Sequence, residues 1–246
     1  MSLSLATPLT RSLTRGLVPA EGFDPNSIPN LILNLDSTVF SSFTFNGPKI
    51  SQWADLSGNG NNLVQATASS QPLFVASSNL NGFPGVRFTG SPVFLRNTGA
   101  LKDTKERTMF FVNNIVSTSG TGGAFYGYNN SGDFIHYGVG SLPHFHGSPT
   151  FPKLINADVR AFPTWFLSIT FDTTLAVTWQ NFVKKTTTVS SNPTSSASFY
   201  IGAEREAFDK RFFEGDMGQI LIYDRVLTDP EVVTIQNALI PKWLIQ

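Results

Sequence analysis

The chain contains no cysteine, so disulfides, thiolate metal sites and cysteine nucleophiles are excluded. It carries no net charge: Lys and Arg number 17, and so do Asp and Glu. No broad basic field exists to hold nucleic acid or anionic lipid, so neither nucleic acid nor membrane is an expected partner. No run approaches the roughly 20 apolar residues of a membrane span. The first twenty residues lack the continuous apolar core of a secretion signal, so the expectation is synthesis in the cytoplasm. Helical periodicity is also nearly missing. What is present is aromatic: 22 Phe in 246 residues, with 20 Gly and 15 Pro, favours sheets broken by many turns. A neutral surface is weakly protected against self-association, which suits a protein that works inside an assembly.

The segment Met1–Ala20 differs from the rest. Leu-Thr-Arg occurs at 9–11 and 13–15, and Pro8 argues against an early helix. In an extended chain Leu5, Leu9, Arg11, Leu13, Arg15 and Leu17 share one face. Residues 1–27 therefore read as an arm and linker that docks on a neighbouring subunit, with a disordered tail as the alternative. Residues 28–246 read as one domain.

Strands are expected at Leu31–Leu35, Ile50–Trp53, Val86–Phe88, Val93–Leu95, Thr108–Val116, Gly122–Tyr128, Phe134–Gly138, Trp165–Phe171, Leu175–Phe182, Phe199–Gly202 and Gly218–Tyr223. Lys184–Ser198 reads as a polar loop. One helix is signalled near the end. Thr228 and Glu231 form a capping-box pattern, Pro230 fits the first turn, Val232, Ile235 and Leu239 follow at helical spacing, and Pro241 is expected to end it.

The most informative stretch is Trp53-Ala54-Asp55-Leu56-Ser57-Gly58-Asn59-Gly60-Asn61-Asn62. Trp53 is expected in the core. The Asp55 carboxylate is expected to accept N–H bonds from its own turn, with Gly58 and Gly60 permitting the reversal. Together with the turn and strand Asn81–Phe88 and the tail Phe213–Glu231, this stretch resembles the concanavalin A-like, laminin G-like jelly-roll domains over about residues 28–246. The resemblance implies an all-β fold: a two-sheet antiparallel jelly-roll sandwich with one short C-terminal helix behind the extended N-terminal arm. Such domains are often carbohydrate-binding or adhesive, and stand-alone copies occur in phage virion proteins.

Glucanases of this broad fold carry two Glu and an Asp at alternate strand positions. Here the order is Glu214, Asp216, Gly218, and the second Glu is missing. The two acids are assigned to turn or strand-edge solvation, no catalytic residue is assigned, and no enzyme activity is expected. His144 and His146 would share one side of a strand, with His136 nearby, but no third ligand has telling spacing, and Pro143, Gly147 and Pro149 read as a loop. No metal site is assigned. Calcium serves some members of the resembled family, yet no clustered acidic loop is present. Tyr126, Tyr128, Tyr137, His144 and His146 are the candidate glycan contacts, being aromatic groups beside polar loops. The leading expectation is a non-catalytic virion structural protein, a capsid decoration, tail or fibre component. Its partners would be other virion subunits, as a homo-oligomer. The alternative is a lectin-like module that binds a cell-surface glycan.

Overall fold

The computed structural model describes residues 22–101, 106–116, 123–128, 134–137, 143–146, 165–172, 175–180, 183–188, 198–203 and 212–245. The expected arm residues Leu5, Leu9, Arg11, Leu13, Arg15 and Leu17 lie outside them. Among the described residues the first half of the chain supplies β1 (Leu31–Asp36), β2 (Phe43–Asn46), β3 (Lys49–Trp53), β4 (Leu63–Val64), β5 (Leu73–Val75), β6 (Gly85–Thr89), β7 (Leu95–Ala100) and β8 (Arg107–Ile115). The second half supplies β9 (Gly123–Tyr128), β10 (Phe134–Tyr137), β11 (Pro143–His146), β12 (Trp165–Asp172), β13 (Leu175–Gln180), β14 (Val183–Thr188), β15 (Ser198–Ile201), β16 (Glu214–Tyr223) and the helix α1 (Asp229–Lys242).

Every strand pairing is antiparallel, in the order β11-β10-β9-β15-β7-β4-β3-β5-β6-β16-β8-β12-β13-β14, with β1 on β16 and β2 on β3. The fold is all-β with one short helix. Hydrogen bonds join the two expected layers into one continuous ribbon that curls on itself. The join is β5, which touches β3 through Lys49↔Leu73 and β6 through Leu73↔Arg87.

Side-chain alternation along the strands builds two cores. Leu33 and Leu35 of β1, Met109 and Phe111 of β8, Ile169 of β12 and Ile220 and Ile222 of β16 point inward. There they meet Trp53, Leu63, Leu95, Phe199 and Ile201 from the opposite half of the ribbon. The intervening residues Phe110, Val112, Leu221 and Tyr223 point outward and are covered by Val232, Ile235, Leu239 and Trp243 from α1 and its end. The helix exists to seal this second face. It is oriented at its start by the Thr228–Glu231 capping box, and Glu231 also pairs with Arg225 at 2.6 Å. Among the described residues no helix is long and apolar enough to cross a membrane.

A bulge at Gly218 resets the alternation of β16. Met217 faces Asn113, whereas Gln219 faces Val112, and so Met217, Ile220 and Ile222 all reach the inner core. A Cβ on Gly218 would stand 2.7 Å from the Trp243 ring, so the absence of a side chain there lets the end of α1 lie against the sheet.

Several sequence expectations need correction. β16 begins at Glu214, four residues before Gly218, because the bulge hides its alternation. β7 covers Leu95–Ala100, not Val93–Leu95. Residues 184–188, expected within a loop, belong to β14, which pairs with β13 and ends the strand order among the described residues; its lysines suit an edge rather than an apolar face. Pro143–His146 is likewise a strand rather than a loop, with Pro143 at its first position, where a missing N–H is tolerated. Pro241 does not end the helix: α1 continues to Lys242, the Trp243 N–H donates to the Leu239 carbonyl at 3.0 Å, and Trp243 is fully buried.

Candidate functional site

The Trp53–Asn62 motif is scaffold. The Asp55 carboxylate accepts from the Asn34 N–H (2.9 Å), the Ser57 N–H (2.9 Å), the Ser57 hydroxyl (2.7 Å) and the Asn61 N–H (3.0 Å). Asn59 and Asn61 then donate their side-chain amides to the Leu31 and Ile32 carbonyls. Gly58 and Gly60 adopt φ of 85° and 73°, the left-handed values this reversal requires. The turn's polar groups are thus engaged with β1, and Trp53 is fully buried.

Asp216 does not solvate a strand edge, as expected from sequence. Its side chain is 0% exposed, forms a two-point ion pair with Arg87, and accepts the Asn79 N–H at 2.8 Å. The Arg87 guanidinium is held above its usual pKa by the hydrogen bond to Asp216. A carboxylate committed to a guanidinium in the interior is a poor partner for Glu214 in two-carboxylate chemistry. Among the described residues no three His, Cys, Asp or Glu side chains converge as a metal site would need.

For Tyr126, Tyr128, Tyr137, His144 and His146 only the backbone falls within the described residues. It places them on three adjacent strands, β9, β10 and β11, at one end of the ribbon. His136 is the register partner of His144, and Tyr137 of Pro143; Tyr126 on β9 is the partner of Ile135.

A different aromatic group has a resolved geometry. Phe40, on the 3-10 turn between β1 and β2, is 62% exposed. Its ring stacks on Phe45 at 5.0 Å with 30° between planes, and meets Phe74 edge-on at 5.4 Å. Phe43 lies behind, against Phe45, Phe74 and Trp53, and anchors the group to the inner core. Phe40, Phe45 and Phe74 with Gly47 and Pro48 line an open cleft of about 480 Å³. Its surroundings are polar and include one cation, Lys49. The Asn46 amide donates to Gln71 at 3.1 Å, and the Lys49 ammonium donates to the Ala68 carbonyl at 2.8 Å. An aromatic face open to solvent, stiffened from behind and flanked by amides, is the arrangement that packs against the C–H face of a sugar ring. The sequence signal for it was the density of Phe40, Phe43 and Phe45 ahead of the Asn46-Gly47-Pro48 turn.

Solved structures share this architecture. The binding domain of Paraclostridial Mosquitocidal Protein 1 aligns with a TM-score of 0.58 at 16% identity, over 85% of this chain and 52% of that one. Trypanosoma rangeli sialidase in complex with sialic acid aligns with a TM-score of 0.62 at 13% identity, over 86% of this chain and 33% of that one. Domain 4 of AbnA, a GH43 extracellular arabinanase from Geobacillus stearothermophilus, in complex with arabinotriose, aligns with a TM-score of 0.57 at 16% identity, over 85% of this chain and 98% of that one. The chain therefore spans about half of the first structure and a third of the second. No protein-family model matches the sequence, and neither does any curated protein. At these identities the likeness shows the fold.

Proposed function

We propose that this domain is a non-catalytic carbohydrate-binding module, and that the Phe40–Phe45–Phe74 cleft receives the sugar. The observation that carries the reading is the 62% exposure of Phe40 on a ring stack rooted in the core. The ring is held by Phe45 and Phe74, which pack on the buried Phe43, and so presents a rigid aromatic surface to water. Two further points support it. The fold is that of a domain solved with arabinotriose bound, matched over nearly its whole length. The non-catalytic reading is supported by Asp216, whose carboxylate is buried in its ion pair with Arg87 and so is a poor partner for Glu214. The partner is a neutral glycan, on a cell surface or in a polysaccharide. A virion role has no supporting observation among the described residues. Titration of the full chain against a broad array of neutral and sialylated glycans tests the reading. Saturable binding to a neutral class, with no reducing sugar released, is the expected result. An array with no signal above background overturns it.

A further inference from the structure

The chain has three histidines, and the topology brings all of them to one face of two adjacent strands. β10 and β11 pair antiparallel with an unbroken register: Phe134 faces His146, Ile135 faces Phe145, His136 faces His144 and Tyr137 faces Pro143. Register partners in an antiparallel pair lie on the same face, and so do residues two apart on one strand. His136 and His144 therefore share a face as partners. His146 joins them, two positions beyond His144 and diagonally across from His136.

That face is the one turned away from the inner core. Gly127 of β9 is the partner of Phe134 on one side and of Tyr200 of β15 on the other. Phe199 and Ile201 of β15 belong to the inner core, while Tyr200 between them packs in a separate cluster with Phe94 and Ala203. Phe134 lies on the Tyr200 side, and with it His136, His144 and His146. Tyr126 and Tyr128 pair with Ile201 and Phe199 and lie on the opposite side, so the tyrosine and histidine positions do not form one patch. On the histidine side the β9 neighbours are small: Gly127 opposite Phe134 and Ala124 opposite His136. Beyond β11 the strand order ends among the described residues.

Three imidazoles on one face make a ligand set. Neutral imidazole suits divalent ions of the zinc kind, with metal–nitrogen bonds of about 2.0–2.1 Å. Cross-strand partners stand about 4.5–5.5 Å apart at Cβ and diagonal neighbours about 7–8 Å, spacings that imidazole side chains can bridge to one ion. Three nitrogens leave the fourth tetrahedral position to water or another oxygen ligand. Calcium is not matched, because it takes about six to eight oxygens.

We propose that the juxtaposition of His136, His144 and His146 on the outer face of the β10–β11 pair is a site for a divalent transition-metal ion of the zinc class. Elsewhere in the fold the described side chains form no such group. In the sequence His144 and His146 stand out as a pair, and His136 becomes the third ligand only through the register that sets it opposite His144. The site uses no residue of the Phe40 cleft and does not depend on the carbohydrate reading.

The test is a titration of the full chain, free of any affinity tag and carrying isotope-labelled histidine, with zinc chloride. NMR follows the ring nitrogens of the three imidazoles. All three are expected to shift together and to saturate at one zinc per chain. Magnesium chloride over the same range is expected to move none of them. His136→Gln, His144→Gln and His146→Gln should each weaken zinc binding at least about tenfold, no less than the loss of a group that merely supports a ligand costs. Zinc should raise the unfolding midpoint of wild type and leave that of each variant where it stands without metal. No saturable zinc response in wild type, a response in only one or two of the imidazoles, or undiminished binding in the three variants overturns the proposal. Should a variant fail to fold, the wild-type imidazole titration alone decides.

Discussion

Arg87 and Asp216 are direct register partners on β6 and β16, and their side chains close a two-point ion pair at 2.7 and 2.8 Å. Asp216 is wholly buried while Arg87 is 34% exposed, so the carboxylate depends on the pair more than the guanidinium does. Arg87→Met should leave a buried charge without its partner and cost about 3 kcal/mol, the low end for a buried pair because one member meets solvent. The double variant Arg87→Met/Asp216→Leu should be less destabilised than the sum of the single ones. Urea unfolding of the four proteins checks this; additive losses would show that the pair is not coupled.

Asp55 is the hub of its turn, and its loss strands the Asn34 and Asn61 N–H groups. Asp55→Ala is expected to cost about 3 kcal/mol, with hydrogen exchange accelerating at Asn34, Ser57 and Asn61 before the rest of the sheet. An unchanged unfolding midpoint would contradict the role assigned to it.

Stability should also carry an acid limb from the helix start. The Glu231 carboxyl is pushed down to about 2, first by its hydrogen bonds with Arg225 and then by those from Thr228. In the unfolded chain it titrates near its ordinary value of about 4.3. The native state therefore binds fewer protons. The contribution is present in full above about pH 4.3 and fades as pH falls toward 2. Glu231→Gln should lower the unfolding midpoint at pH 7, with the gap to wild type narrowing between pH 4 and 2. Thr228→Ala should cost about 1 kcal/mol through the same cap. A gap that stays constant with pH would exclude the carboxylate as its cause.

At the other end of α1, Gly218→Ala should push the Trp243 ring away from β16, since its Cβ would stand 2.7 Å from that ring. Overpacking of this kind costs about 1–3 kcal/mol. The checks are thermal unfolding and a change in tryptophan emission, and wild-type behaviour in both would contradict the packing described here.

The fold was legible wherever a strand is apolar on one face or both. Thr108–Val116 carries the apolar run Met109–Val112 and Trp165–Phe171 an apolar alternation, and β8 and β12 match them within a residue or so. The helix was legible from Thr228, Pro230 and Glu231, because capping is local chemistry. Period alone failed at two kinds of place. At Gly218 a bulge shifts the pattern by one, which concealed the first four residues of β16. At β14 and β11 the strands lie at the two ends of the ribbon, where Lys, Thr and His replace an apolar alternation.

The candidate sites were less legible, for a different reason. Asp55 makes most of its contacts within six residues of itself, so sequence could assign it. Asp216 meets Arg87 across 129 positions, and its burial depends on register that no local pattern reveals. Of the three closely spaced Phe, Phe43 is buried, Phe45 is half-buried and Phe40 is exposed, a division that no local pattern reveals. The glycan candidates Tyr126, Tyr128, Tyr137, His144 and His146 fall on the adjacent strands β9, β10 and β11, but the register pairs each of them with another residue.

The most direct test of the carbohydrate reading is a calorimetric titration of the best array glycan into wild type and Phe40→Ala. Phe40 is mostly in water, so the variant should stay folded and lose only about 0.5–1.5 kcal/mol of stability, from its ring contacts with Phe45 and Phe74. Its affinity for that glycan should nevertheless fall at least about tenfold, the loss of one aromatic platform contact. If Phe40→Ala binds as tightly as wild type, the exposed ring is not the sugar platform and the central claim fails.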